Sequence, residues 1–317
     1  MPDLAERFSD PRPIILDGAI STELQRLGVP MSADTWSGLA AITHPDVLRD
    51  LHTAYLRAGA EVIMANTYAA APQHVAEAGY GDRAREINLR SAELALEARE
   101  AADRSADGPS DGSTDGSTDG PTWVAGSLSL MAPGFRRANR QAPLEHADGL
   151  RRQAEWLAEA GVDLLVLEML RDIEWSSAAM DAALSVGLPV WAGFSCIVDD
   201  RGAVTTQSAS VSEPVPFAEA LRAVTGRGEM LVGVMHSEIE ETDPGLRCAR
   251  DVCDAPLGAW PNSGHFQWPH WQFEDVISPE AFAGVAERWA KAGVKVVGGC
   301  CGLGPEHIRA VADRLRS

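Results

Sequence analysis

Residues 294–309 read "VKVVGGCCGLGPEHIR". An apolar run rich in valine ends in two glycines and two adjacent cysteines. A third glycine and a Pro-Glu helix start follow. The pattern predicts a buried strand, a tight polar turn and a helix, in that order. Two adjacent thiols add little to packing and seldom bridge each other, because a disulfide between chain neighbours is strained. Their place at a strand end therefore points to chemistry rather than to the core.

The same unit recurs upstream. The β-type runs are "PIILDG" (13–18), "EVIMANTY" (61–68), "TWVAGSL" (122–128), "DLLVLEML" (163–170), "LPVWAGFSC" (188–196), "EMLVGVMH" (229–236), "APLGAWPNS" (255–263) and "VKVVGGCC" (294–301). Between them lie amphipathic patterns such as "HPDVLRDLHTAYLRAGA" and "HADGLRRQAEWLAEAGV". "RAGA", "EAGV" and "KAGV" precede the second, fourth and eighth runs, with glycine supplying the left-handed C-cap that ends a helix. Eight runs alternating with helical patterns predict an α/β fold, a (β/α)8 TIM barrel formed by one domain over residues 1–317. An open doubly wound sheet is the alternative. It lacks its phosphate-binding fingerprint, since "DGAISTELQRLG" follows the first run where a GxGxxG would stand. One segment breaks the pattern: "RSADGPSDGSTDGSTDGP" (104–121) has no residue able to anchor in a core and reads as a flexible acidic loop.

Composition narrows the function classes. The 317 residues carry 27 Lys plus Arg against 46 Asp plus Glu, a formal charge of −19. Such a chain repels phosphate backbones and anionic lipid, so neither nucleic acid nor membrane is expected as a partner. No apolar stretch reaches the length of a membrane span, and "MPDLAERFSDPRP" lacks the apolar centre of a secretory signal. The five cysteines show no disulfide spacing, which fits a reducing cytoplasm.

Barrel enzymes work at the C-terminal ends of their strands. In order, the predicted ends present Asp17, Asn66, Ser127, Glu168, Ser195, His236, Asn262, and Cys300 with Cys301. His236 comes from the sixth strand and the cysteine pair from the eighth, only one strand apart. An imidazole and two thiolates suit Zn²⁺ with its fourth position open to substrate. The alternatives are an inert pair of buried thiols and an ordinary hydrogen-bonded histidine. Cys248 and Cys253 fall on the helix and loop before the seventh strand and read as structural.

"GGCCGLGPEHI", "LDGAISTELQRLG", "ANTYAAAP", "LLVLEML" and "WPNSGH" together resemble the zinc-dependent homocysteine S-methyltransferases, in order and over nearly the whole chain. The resemblance implies a (β/α)8 barrel that moves a methyl group from a sulfonium donor, S-methylmethionine or S-adenosylmethionine, to the thiol of homocysteine, giving methionine. It implies zinc ligation by Cys300 and Cys301, and contacts from Asp17 and Glu168 to the acceptor's amino group. Asn66 and Ser127 are the further candidate substrate contacts. The partners expected are thus a small-molecule thiol acceptor and a cationic methyl donor. At the sixth strand the family usually ends in GVNC, whereas this chain reads "GVMHSE", so His236 stands where a third thiolate is expected. Two thiolates and a neutral imidazole leave a Zn²⁺ site neutral, where three thiolates leave it at −1. A neutral site acidifies a bound thiol more and leaves its sulfur less nucleophilic. Another thiol or selenol acceptor is the alternative this favours; a non-catalytic barrel is the other. Trp260, Trp268 and Trp271 cluster in "AWPNSGHFQWPHW" and read as loop packing, with cation–π donor binding as the alternative. "SLSLMAPGFRR" (127–137) reads as a second lid.

Overall fold

The computed structural model of the chain describes residues 3–32, 34–106, 120–130, 143–207, 213–267 and 272–317. Eight parallel strands follow the eight predicted runs: β1 (Ile14–Ile15), β2 (Val62–Ala65), β3 (Trp123–Ser129), β4 (Leu164–Leu170), β5 (Val190–Phe194), β6 (Leu231–Glu238), β7 (Leu257–Asn262) and β8 (Val296–Val297). They pair in the order β1-β8-β7-β6-β5-β4-β3-β2. A parallel bridge between Leu16 and Val62, with the Glu61 amide donating to the Ile15 carbonyl, joins the two ends and closes the barrel. The helices are α1 (Leu4–Arg7), α2 (Ser21–Arg26), α3 (Ala40–Thr43), α4 (Pro45–Arg57), α5 (Pro72–Glu77), α6 (Ala84–Ala106), α7 (Pro143–Ala160), α8 (Glu174–Leu184), α9 (Phe217–Val224), α10 (Ile239–Val252), α11 (Pro279–Lys291) and α12 (Pro305–Arg316). Gly59, Gly161 and Gly293 hold φ of 101°, 88° and 86° at the predicted helix ends, a conformation that costs glycine little.

Strand residues are buried on both faces, so each run is continuously apolar, yet the period of two survives inside it. Ile14, Leu16, Val62, Met64, Leu164 and Val166 pack into the barrel interior. Ile15, Ile63, Leu165 and Leu167 face the helices. Trp191 and Trp260 fill the centre, both fully buried. A side chain at Gly233 would sit 2.0 Å from the Trp260 ring, so glycine there is the complement of the tryptophan. This corrects the expectation for Trp260, which lies within β7 as core rather than in a loop. Trp268 and Trp271 lie outside the described residues, as does the 131–137 part of the expected lid.

The barrel floor is covered by the N-terminus. Leu4 and Phe8 join the interior cluster, and Phe8 meets Trp191 edge to face at 6.1 Å. The guanidinium of Arg7 donates to both oxygens of Glu61, at 2.7 and 2.9 Å, and to the carbonyls of Arg12 and Pro13. Two antiparallel hairpins were not anticipated: Cys196–Val198 with Val204–Thr206, and His265–Gln267 with Gln272–Glu274. Of the expected acidic loop, residues 104–106 form the end of α6 and 107–119 lie outside the described residues. Among the described residues no helix is long and apolar enough to cross a membrane.

Candidate active site

Two strands depart from regular pairing, and both departures fall where the sequence becomes polar. The β4–β5 register shifts between Leu167 and Leu170, and the β6–β7 register shifts between Met235 and Glu238. Met169 holds φ of 63° and His236 φ of 43°, left-handed values that an ordinary side chain resists. The effect is the same in both strands. A bulge turns two consecutive residues inward where the pleat allows one. Glu168 and Met169, and Met235 and His236, all line one cavity of about 460 Å³ at the C-terminal mouth.

Cys300 and Cys301 reach that cavity by a third route. After β8 the backbone is pinned by its neighbours. The amide of Gly299 donates to the Asp17 carbonyl at 2.9 Å, Cys300 to Pro261 at 2.8 Å, and Ala19 to Leu303 at 3.0 Å. Gly302 turns with φ of 82°, and a side chain there would stand 2.2 Å from the Ser263 carbonyl oxygen. The glycines thus thread the turn between the loops after β1 and β7 and leave both sulfurs at the mouth.

The three soft side chains converge. Nδ1 of His236 lies 3.4 Å from Sγ of Cys300 and 3.7 Å from Sγ of Cys301, and the sulfurs are 3.9 Å apart. Tetrahedral ligation by zinc at its usual bond lengths sets sulfurs about 3.8 Å apart and sulfur and nitrogen about 3.6 Å apart. The triangle therefore has the dimensions of three ligands around one such ion. The hydrogen bond that the Cys300 thiol donates to Cys301, together with burial, pushes the Cys300 thiol well above a free cysteine. A cation at the centre is what makes thiolate stable there.

Beside the triangle sits a buried carboxylate pair. Glu168 accepts a short hydrogen bond from the Ser127 hydroxyl. Burial pushes its carboxyl up to about 7, against the pull of Ser127 and of His236. Asp17 is fully buried; one oxygen accepts from the Met64 amide at 2.7 Å and the other, Oδ1, has no partner within the protein. Burial drives its carboxyl well up as well. Asn66 lines the cavity, but its amide is tied to Ser37: Nδ2 donates to the Ser37 carbonyl at 2.8 Å, and Oδ1 accepts from its hydroxyl. Ser195 donates to the thioethers of Met169 and Met235, at 3.2 and 3.4 Å, steadying the wall. Asn262 donates to Glu238 at 2.7 Å and is not among the cavity-lining residues. Cys248 lies in α10 and Cys253 just after it, half-buried against the outer core.

Of the cavity residues that escaped the sequence reading, three stand out. Trp36 and Tyr68 stack, with ring centroids 5.7 Å apart and planes at 28°. Trp36 lies between helices, in a segment whose sequence gives no periodic signal, although "ANTYAAAP" did single out the Tyr68 neighbourhood. Arg171, one residue beyond β4, is the third.

A closed parallel barrel that gathers, at its C-terminal mouth, three side chains able to hold a metal ion beside a buried glutamate defines a class: barrel enzymes working at the ends of their strands. The chain belongs to the homocysteine S-methyltransferase family, whose model matches residues 14–315, and it is a methyltransferase. It is 29% identical over 315 residues to a selenocysteine Se-methyltransferase of Brassica oleracea var. italica, covering 96% of this chain and 89% of that protein. It is 28% identical to the homocysteine S-methyltransferase of Escherichia coli strain K12, covering 95% and 94%. Among solved structures, the oxidized form of the homocysteine methyltransferase MmuM from Escherichia coli superposes with a TM-score of 0.73 at 25% identity, over 95% of this chain and 96% of that one. A metallated form of MmuM gives 0.72 at 24% identity, a likeness of fold.

Proposed function

We propose that this chain transfers a methyl group from S-methylmethionine to homocysteine, with a zinc ion held by His236, Cys300 and Cys301. The observation that carries the reading is the Nδ1–Sγ–Sγ triangle, which has zinc-ligand dimensions and opens on the same cavity as Glu168. Bound there, zinc would supply the Lewis acidity that ionises an incoming thiol at neutral pH.

The protein's own residues position the reactants. The acceptor's ammonium is held by Glu168, whose carboxylate Ser127 keeps aimed into the cavity; Asp17, the other expected contact, is fully buried, is not among the cavity-lining residues and is bonded to the Met64 amide behind that wall. Asn66 acts on the same wall by fixing the Ser37 loop. The stacked faces of Trp36 and Tyr68 attract the donor's sulfonium, a cation–π attraction of about 0.5–2 kcal/mol. In the transfer, the acceptor sulfur forms a bond to the methyl carbon as the carbon–sulfonium bond breaks. The electron pair stays on the departing sulfur, which becomes a neutral thioether, and the acceptor's proton has gone to solvent. Two methionines result.

The test is methionine formation by zinc-loaded enzyme from S-methylmethionine and homocysteine, two equivalents per turnover. Activity that disappears with a chelator and returns with zinc is the expected outcome; full activity without zinc overturns the reading. One observation favours a second acceptor. An imidazole where a thiolate would add charge makes the centre the stronger Lewis acid and the bound sulfur the poorer nucleophile. A selenol, already largely ionised at neutral pH, loses less by that exchange. Competition between homocysteine and selenocysteine separates the two.

A further inference from the structure

The bulge in β4 leaves Met169 without a strand partner. β4 pairs with β3 as far as Glu168 and resumes pairing with β5 at Leu170, and Met169 falls between, in register with neither neighbour. It is 3% exposed and left-handed, with φ of 63°. A buried amide needs an acceptor. Here the acceptor comes from another strand: the Met169 N–H donates to the Met235 sulfur at 3.4 Å. Met235 belongs to β6, which lies beyond β5 in the sheet, so its side chain passes over β5 to reach β4. A polarisable thioether on rotatable bonds suits that reach. Gly193 of β5 leaves the way open. A side chain there would stand 2.9 Å from Cγ of Met235 and 2.9 Å from the Leu167 carbonyl oxygen. Ser195, just after β5, holds the crossing in place. Its hydroxyl, with one hydrogen to share, faces the Met235 sulfur at 3.4 Å and the Met169 sulfur at 3.2 Å. Its own backbone is fixed on both sides: the amide donates to the Leu170 carbonyl at 3.2 Å, and the carbonyl accepts from the Gln207 amide at 3.0 Å.

The peptide between Glu168 and Met169 is thus held at both ends. Its carbonyl accepts from the Leu130 amide at 3.3 Å on the β3 side, and its N–H donates to the Met235 sulfur. That peptide follows directly on the Glu168 α-carbon, so its orientation sets where the side chain leaves the strand. We propose that Met235 is a positioning residue for the acceptor: its sulfur fixes the Glu168–Met169 peptide and thereby aims the Glu168 carboxylate at the acceptor's ammonium. The inference rests on the acceptor placement above and deepens it. Met235 acts through Glu168, and Ser195 acts through Met235.

Thiol binding without donor tests it apart from turnover. Homocysteine and 4-mercaptobutyrate differ only in the amino group, so the ratio of their calorimetric dissociation constants on the zinc-loaded protein reads the ammonium contact by itself. The wild type is expected to favour homocysteine about 10- to 100-fold, the ratio a charge-assisted hydrogen bond supplies. Met235→Leu conserves volume and loses the acceptor atom. It should narrow the ratio about three- to tenfold, the worth of one neutral hydrogen bond, while keeping about one zinc per chain and its affinity for 4-mercaptobutyrate. Ser195→Ala loosens the same sulfur from outside both bulged strands and should narrow the ratio in the same direction. A ratio that stays at the wild-type value in both variants overturns the inference and leaves the acceptor placement standing. Equal weakening of the two thiols also overturns it, since the effect is then on the fold. So does loss of zinc, which moves the effect to His236. A wild type that binds the two thiols alike removes Glu168 from the acceptor's amino group, and the proposed acceptor placement and this inference fall together.

Discussion

His236 enters the cavity from a left-handed backbone at a bulge, so its imidazole position is held by β6 and β7 rather than chosen by a flexible loop. Removing it should cost more than the roughly 10- to 100-fold in metal affinity that loss of an outer-shell partner brings. We expect His236→Ala to lose zinc on dialysis and His236→Cys to keep about one ion per chain; metal analysis of the dialysed proteins checks this. Retention of full zinc by the alanine variant removes His236 from the ligand set. Glu168 offers a second test. It must be ionised to hold an ammonium group, and its carboxyl titrates at about 7. Acceptor kcat/KM should then rise about tenfold from roughly pH 6 to roughly pH 8. Ser127 lowers that carboxyl by hydrogen bonding, so Ser127→Ala should move the midpoint upward and reduce kcat/KM at neutral pH. A midpoint that stays in place sinks the assignment.

At the scale of elements, α4 contains the clearest pH liability. His52 is fully buried, and neither ring nitrogen has a protein partner. Burial lowers its pKa from 6.5 to about 4. Between those values the unfolded chain takes up a proton that the native one refuses. Stability from this group is therefore intact above about pH 6.5 and declines as pH falls toward 4, by roughly 3 kcal/mol at the limit. Urea midpoints at pH 7.5 and pH 5 should differ more for the wild type than for His52→Leu. Equal differences would show that another group sets the acid limit. The elements also show what the sequence makes legible. Each strand run ended on a polar residue that strand geometry alone does not require, and those ends marked the mouth. The bulges were hidden, because "VLEML" and "VMHSE" carry no glycine or proline to signal a break in pairing. The hairpins were hidden too, since three-residue strands leave no periodicity to read. Trp260 was misplaced because an apolar residue beside "PNSGH" looks like loop until the small glycines of β5, β6 and β7 are seen around its ring.

Taken whole, the barrel is asymmetric along its axis: polar and strained at the mouth, apolar and braced at the floor. The Arg7–Glu61 pair is the brace, largely removed from water on both sides. Breaking one half of it strands a buried charge. Arg7→Ala should destabilise the fold by about 3 kcal/mol, while the paired change Arg7→Met with Glu61→Leu should recover most of that loss. Denaturant unfolding of the three proteins checks the prediction, and a neutral Arg7→Ala would show that the floor holds without its ion pair.

That sealed floor has a kinetic consequence. With Leu4, Phe8, Trp191 and Trp260 stopping the far end, both reactants reach the cavity from the mouth among the described residues. Acceptor and donor then share one approach, and either one in place obstructs the other. Mutual obstruction, visible in product-inhibition patterns, is thus a property of the architecture as much as of the chemistry.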